Sequence, residues 1–377
     1  MARSAMLEVQ NGNLIETLNG LWRQLLEKGL VDVLLIPQEL PSGDNVVQTL
    51  VSDVERLGSP NPLAPVMPVN SARIVSRVTK VTPSPKKVAV VLRPCELRAL
   101  IELVKLKQAS LENLVLIGVD CFGTYSVKDY KRLCQNGSSP QDSFMKATKE
   151  GKEDESLREI CRMCEYPAPM CADISIGLIG VDYEKSILVQ ASTAEGERIL
   201  EGLELKDASE GDVAKREEAI AQLAEKRAQK RDEILEQTRQ DIAGMENLMK
   251  ALAPCIGCHN CRDVCPICFC KECFFDSPTF DMESEKYLGW ADKGTVRMPA
   301  HTLLFHLTRM CHMAASCVGC GMCSEACPND IPVANIFRLV GMNTQKALNY
   351  VPGKSLDDEI PVSTFQEREL LNVPEKL

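Results

Sequence analysis

Apolar residues recur at helical spacing over residues 14–28 and then give way to Val31-Asp32-Val33-Leu34-Leu35-Ile36, a run that stops before a proline. An amphipathic stretch followed by a short β-branched one predicts helix, then strand. Two further apolar runs, Lys87-Val88-Ala89-Val90-Val91-Leu92 and Leu114-Val115-Leu116-Ile117-Gly118-Val119, are separated by a helical pattern over residues 96–108. Strand, helix and strand at that separation predict a parallel crossover unit whose strands are buried on both faces. The alternation continues to about residue 200, so residues 1–205 read as an α/β domain with a largely parallel sheet. The proline-rich stretch 59–68 and the polar stretch 135–155 read as loops, and neither carries a phosphate-binding glycine pattern.

From about residue 207 to 249 the text is charged and free of proline, with Val213, Ile220, Leu223, Ile234, Ile242 and Leu248 at loosely helical spacing. It predicts a long helical arm or helical pair over residues 206–250, a solvated connector or a docking surface. The spacing is too irregular for a coiled coil. Helical patterns return at 302–313 and 331–340, inside a mainly α-helical domain over 251–345, with a tail at 346–377.

The chain has 377 residues and 45% hydrophobic content, enough for two or three domains with cores of their own. Its net charge of −10 offers no broad basic surface for nucleic acid or anionic lipid. No apolar segment reaches the ~20 residues that cross a bilayer, so direct membrane insertion is not expected. The 18 cysteines occur without an export signal at the start, which points to metal in a reducing, cytoplasmic setting rather than to disulfides.

Cys255-x2-Cys258-x2-Cys261-x3-Cys265-Pro266 is answered, after a long spacer, by Cys317-x2-Cys320-x2-Cys323-x3-Cys327-Pro328. In such runs three thiolates hold one cubane while the fourth reaches the other cluster. The expected sets are therefore Cys255, Cys258, Cys261 and Cys327 for one [4Fe–4S] cluster, and Cys317, Cys320, Cys323 and Cys265 for the other. A structural zinc site normally uses two separated cysteine pairs, which this pattern is not. Cys268, Cys270, Cys273 and Cys311 stand nearby, either as ligands of a further cluster or as small buried hydrophobes beside the first two. All four histidines, His259, His301, His306 and His312, fall in the same region, at no hydrolytic spacing, and read as groups that pack around or tune clusters. The long spacer and flanking helices resemble the helical ferredoxin domains of fumarate reductase and heterodisulfide reductase subunits.

In the first domain, Leu26-Glu27-Lys28-Gly29-Leu30-Val31-Asp32, Gly58-Ser59-Pro60, Pro94-Cys95-Glu96-Leu97-Arg98-Ala99-Leu100 and Ala172-Asp173-Ile174-Ser175-Ile176-Gly177 occur in that order, followed by Ser186-Ile187-Leu188-Val189, Thr193 and Gly196-Glu197. Over roughly residues 14–205 the chain resembles the coenzyme F420 hydrogenase/dehydrogenase beta-subunit family, which includes formate dehydrogenase beta subunits. The resemblance implies FAD and a further [4Fe–4S] cluster, with Cys95, Cys121, Cys161 and Cys164 at the positions of the family's cysteines; these four are otherwise scattered core or surface thiols. The chain departs from the family near its start, where Asn11-Gly12-Asn13 and Asn19-Gly20 stand in place of an Asp-Gly-Gly-like stretch. Arg93 and Arg98 flank Cys95, placed either for a cofactor phosphate or cluster charge, or for ion pairs with Glu96, Glu102 or other acids.

Abundant thiolate ligands with no convincing acid–base residues favour an electron-transfer subunit. It would relay electrons between a formate dehydrogenase or hydrogenase catalytic subunit and a further redox partner, such as a heterodisulfide-reductase-like complex, within a hetero-oligomer. The alternative is a flavin-containing oxidoreductase that exchanges hydride with a soluble F420- or nicotinamide-type carrier and feeds the clusters. A metal-stapled scaffold is the reading of another class.

Overall fold

The computed structural model describes residues 3–135, 139–149, 151 and 154–361. The chain divides into two compact units, one of Met1–Asp232 with Pro352–Asp358 and a second beginning at Glu233.

The first unit is built on eight strands: β1 (Ser4–Glu8), β2 (Val33–Glu39), β3 (Val46–Val51), β4 (Val88–Leu92), β5 (Leu114–Val119), β6 (Ile174–Gly177), β7 (Ser186–Ala191) and β8 (Lys206–Asp207). Their order is β3-β2-β4-β5-β6-β7-β1-β8. The β2, β4, β5 and β6 strands run parallel in the middle, and antiparallel partners flank them on both sides. All five residues of β4 are buried, as expected of a parallel strand covered on both faces. Helices α1 (Leu14–Glu27), α2 (Ala72–Thr79), α3 (Pro94–Lys105), α4 (Val127–Gln135), α5 (Pro140–Lys149), α6 (Glu159–Arg162) and α7 (Ala194–Leu203) occupy the connections. The first of them starts where Asn13 caps it by accepting from the Glu16 N–H, and it buries Leu18, Leu21, Trp22 and Leu25 in the main core.

Two local expectations need correction. The strand predicted to end before Pro37 continues to Glu39, because pairing with β4 stops at Leu35 and beyond it no donor is needed on that side. Within the stretch read as a loop, Pro140 opens α5, Ser139 accepts from the Asp142 N–H, and buried Phe144 meets Tyr125 edge to face at 5.8 Å. Residues 136–138, 150, 152 and 153 of that stretch lie outside the described residues, as do 362–377 of the expected tail.

After β8 comes α8 (Glu210–Asp241). Its anchorage is polar: buried Arg216 forms a bidentate pair with buried Asp120 and also donates to Gln190 Oε1. The Pro352–Asp358 segment lies on α3, where the Gly353 N–H donates to Glu102 and the Pro352 carbonyl accepts from Arg98.

The second unit contains α9 (Gly244–Ala251), α10 (Asn260–Asp263), α11 (Ser284–Ala291), α12 (Thr302–Met313), α13 (Met322–Glu325) and α14 (Val333–Ala347). Leu252, Ile267, Met310, Met313, Ile331, Val333, Ile336 and Phe337 form its apolar core, and cysteines of both motifs pack against it.

Candidate metal centres

The two cysteine runs of the second unit share a backbone plan. Gly257 and Gly319 fill the position before the second cysteine of each run with φ of 68° and 70°, and the residues after that cysteine, His259 and Gly321, also have positive φ, at 58° and 76°. Short helices then carry the third cysteines, Cys261 on α10 and Cys323 on α13. Left-handed residues at two fixed offsets turn the chain so that successive thiols converge, and glycine adopts that conformation without a Cβ clash.

Two enclosed cavities result. Cys255, Cys258, Cys261 and Cys327 line the first, together with His259, Phe305, His306 and Val333. Cys265, Cys317, Cys320 and Cys323 line the second, with Arg309, Met313 and Phe337. The last cysteine of each run thus sits with the first three of the other. Burial pushes the Cys261 thiol up to about 11 against the pull of Arg309, and holds Cys265 and Cys323 above the usual range as well.

Arg309 is 4% exposed and extends from α12 between these groups. Its Nη1 donates to Cys261 Sγ at 3.1 Å and its Nη2 to the Cys261 carbonyl at 3.0 Å, while its Nε has no partner. His306 is buried with neither ring nitrogen partnered, and burial, then the Arg309 charge, lowers its pKa to about 4. The ring of His259 stacks on Phe305 at 4.3 Å, gives Nδ1 to Asp276, and leaves Nε2 unpartnered toward the first cavity. Sulfur-lined cavities with a buried cation and orphaned ring nitrogens fit anionic, sulfide-bearing iron clusters better than empty space, since unmatched buried polar groups are costly.

The remaining cysteines of this unit are dispersed. Cys268 packs against the core, Cys273 packs with Cys261, Phe275 and Phe305, and Cys270 and Cys311 are exposed. Among the described residues, no group of three or more His, Cys, Asp or Glu closes to single-ion distances.

In the first unit, parallel pairing aligns Leu92 with Gly118, so Cys95 and Cys121 each follow by three residues at the same edge of neighbouring strands. The Cys121 N–H donates to the Pro167 carbonyl, which brings alongside it the segment carrying Cys161 and Cys164. Cys161 Sγ lies 3.4 Å from both Thr124 Oγ1 and Arg158 Nη2. Burial opposes its thiolate, but the Arg158 charge and the Thr124 bonds outweigh it and hold the thiol below its ordinary value. Burial instead pushes Cys121 up to about 11 and raises Cys164, with Arg227 of α8 opposing both. Arg93 and Arg98, which flank Cys95, turn to the Ala64 carbonyl and to the Tyr166 ring at 3.8 Å, respectively.

Beside this edge lies a cavity of about 630 Å³ lined by Phe122, Phe144, Tyr183, Lys149, Arg162, Lys226 and Arg227, among others. Buried Arg162 Nε has no partner there. Sequence patterns missed Arg158, Arg227 and Arg309; for Arg309 the available signal was a cation four residues from Phe305 and four from Met313, on the apolar face of a predicted helix.

Residues 85–217 match the family described as the C terminus of the coenzyme F420 hydrogenase/dehydrogenase beta subunit, and residues 251–331 match a 4Fe-4S dicluster domain. The chain is 28% identical to the F420-dependent formate dehydrogenase subunit beta of Methanocaldococcus jannaschii, covering 90% of this chain and 92% of that one. It is 29% identical to the F420-dependent formate dehydrogenase 1 subunit beta of Methanococcus maripaludis, covering 94% of each. A chain of the F420-reducing [NiFe] hydrogenase complex from Methanosarcina barkeri aligns with 65% of this chain and 94% of its own, at 14% identity and a TM-score of 0.46, too low to carry an argument. Among the described residues, no helix is long and apolar enough to cross a membrane.

Proposed function

From the family matches over residues 85–217 and 251–331 we propose that the chain is a member of the coenzyme F420 hydrogenase/dehydrogenase beta-subunit family and the iron–sulfur electron-transfer subunit of a hetero-oligomeric oxidoreductase. The observation that carries this reading is the pair of four-cysteine cavities with exchanged fourth thiols. Cys255, Cys258, Cys261 and Cys327 would hold one [4Fe–4S] cluster, and Cys265, Cys317, Cys320 and Cys323 the other. Each cluster, when bound, supplies a one-electron couple whose potential depends on net charge, hydrogen bonds to sulfur and burial. The chain's part is to hold the thiolates, exclude water with Phe305, Met313 and Phe337, and place His259, His306 and Arg309 against sulfur. A third cluster at Cys95, Cys121, Cys161 and Cys164 is supported by strand-end placement and by the Arg158 contact to Cys161. The partners we infer are a formate dehydrogenase or hydrogenase catalytic subunit on one side and a redox protein of heterodisulfide-reductase type on the other, in the cytoplasm.

A second reading, a flavin-bearing oxidoreductase fed by a deazaflavin or nicotinamide carrier, is favoured by the 630 Å³ cavity with its aromatic walls and its Lys149, Arg162, Lys226 and Arg227 cations. That size suits a small-molecule cofactor, and the names of the relatives point the same way. One anaerobic preparation assayed for iron, sulfide, zinc and flavin separates the cases. About eight irons per chain fit the two cavities alone, and about twelve add the first-unit site. Stoichiometric flavin moves the assignment to the second reading. Zinc without iron leaves only a metal-stapled scaffold.

A further inference from the structure

Arg309 is a buried cation that forms no ion pair with a carboxylate among the described residues; its hydrogen bonds go to Cys261 Sγ and the Cys261 carbonyl. A buried cation without a counter-charge is costly, so a side chain 4% exposed in this position needs negative charge close by. The guanidinium bonds to Cys261 of the first cavity and lines the second, which holds Cys265 and Cys323. Its position is fixed by packing as well as by bonds: its Cζ lies 4.9 Å from the Phe337 ring centroid and 5.6 Å from that of Phe305. Both aromatic faces favour a cation.

Taking the two-cluster reading above as its basis, we propose that Arg309 is a shared positioning residue, a single fixed positive charge between the two cysteine cavities that raises the reduction potentials of both clusters together. The reason is electrostatic. Reduction adds one negative charge to a site already made anionic by four thiolates, and a fixed cation within contact distance of one set and lining the other favours the added electron at each. Arg309 is itself buried, with Phe305 on the side of the first cavity and Phe337 on that of the second, so water screens this charge little.

The test is a redox titration of the full chain, followed by electron paramagnetic resonance, in wild type, Arg309→Gln and Arg309→Lys. Arg309→Gln keeps hydrogen-bonding capacity without the charge. At any fixed potential it is expected to lower the reduced-to-oxidised ratio of both clusters at least tenfold, which is a fall of 59 mV for a one-electron couple. Arg309→Lys keeps the charge while losing the fork on Cys261, and both clusters are expected to stay within threefold of the wild-type ratio. No shift in Arg309→Gln, a shift confined to one cluster, or an equal shift in Arg309→Lys overturns the proposal. If Arg309→Gln fails to assemble both clusters, Arg309→Lys decides alone: wild-type potentials support a role for charge, and a tenfold fall at either cluster refutes it. Fewer than about eight irons in the wild type removes the two-cluster reading itself, a failure distinct from unmoved potentials.

Discussion

Replacing Arg216 with methionine tests whether α8 is part of the first unit's framework or only a connector. The Arg216 and Asp120 side chains are 3% and 0% exposed and form a bidentate pair, one bond of which measures 2.7 Å. Asp120 also accepts from the Leu178 and Ile179 N–H groups, at 2.8 and 2.9 Å. Removing one member of such a pair costs about 3–5 kcal/mol, because the other is left buried with its charge unmatched. The two backbone donors that remain on Asp120 put the cost near the lower figure. That is a large share of the ~5–15 kcal/mol that holds a typical domain together. In a unit of this size each kcal/mol moves the midpoint about 2–4 °C, so at the lower figure the loss is about 6–12 °C. Urea denaturation followed by Trp22 fluorescence reads the first unit alone once Trp290, the other tryptophan, is replaced by phenylalanine. The midpoint should fall with an unchanged slope. A double Asp120→Leu, Arg216→Leu variant should lose less than Arg216→Leu alone, since no charge is stranded. A loss under about 1 kcal/mol in Arg216→Met, or a double variant that loses more than Arg216→Leu alone, refutes the reasoning.

Three further outcomes follow from local geometry. Gly353 has φ of 72°, and a Cβ there would come within 2.3 Å of the Arg98 backbone, so Gly353→Ala should release the 352–358 segment from α3, seen as faster proteolysis at that segment. Gly319→Ala should destabilise the second unit by about 1–2 kcal/mol through its left-handed backbone, measured by thermal unfolding of the reconstituted protein. Cys121, Cys261 and Cys268 are pushed up to about 11 by burial from an ordinary 9.0. For an acid whose folded pKa is raised, the stability contribution is full below the unfolded value and lost as pH climbs through the folded one. Cluster-free protein should therefore weaken between about pH 9 and 11, while iron loading, which would displace the Cys121 and Cys261 protons, should improve as pH rises from neutrality. Urea midpoints and iron content across that range check both.

The second unit's cysteine cavities were legible because most of their thiols are close in sequence. Thiols at intervals of three, glycine before the second cysteine and a proline after the fourth are sequence features, and even the exchange of Cys265 and Cys327 follows from them. The first unit was legible in its parallel strands, whose buried β-branched runs leave a periodic trace. Its thiols left none, because Cys121, Cys161 and Cys164 are brought near one another by a loop, and Cys95 is brought to the same sheet edge by strand register, neither of which spacing encodes; only the family resemblance grouped them. The roles of Arg216, Arg227 and Arg231 on α8 were equally hidden, since a helix charged all round looks solvated whichever arginine turns inward. The helix at Pro140–Lys149 was masked by its polar composition, and Phe144 alone marks its inner face.

The arginines supply an argument that cysteine spacing cannot. A buried thiol that is only a small hydrophobe gains nothing from a guanidinium on its sulfur, and desolvating that guanidinium has a cost. Yet the first unit sets Arg158 on Cys161 Sγ and the second sets Arg309 on Cys261 Sγ, on unrelated frameworks and from different kinds of element. In the first unit α8 adds Arg227, which donates to the Cys121 carbonyl, and Arg231, paired with Glu165 next to Cys164. Such charges are stabilising only when the sulfurs carry negative charge, and burial alone keeps Cys121 and Cys261 as neutral thiols at physiological pH. At Cys121 and Cys261 the cations and thiols are therefore mismatched in a metal-free chain, and they would be matched once metal binding removed the protons. That supports counting the first-unit cysteines with the cluster ligands. It also predicts a difference within the chain: Cys268, where no arginine hydrogen bond is found among the described residues, should tolerate serine without loss of iron, whereas Cys161 and Cys261 should not.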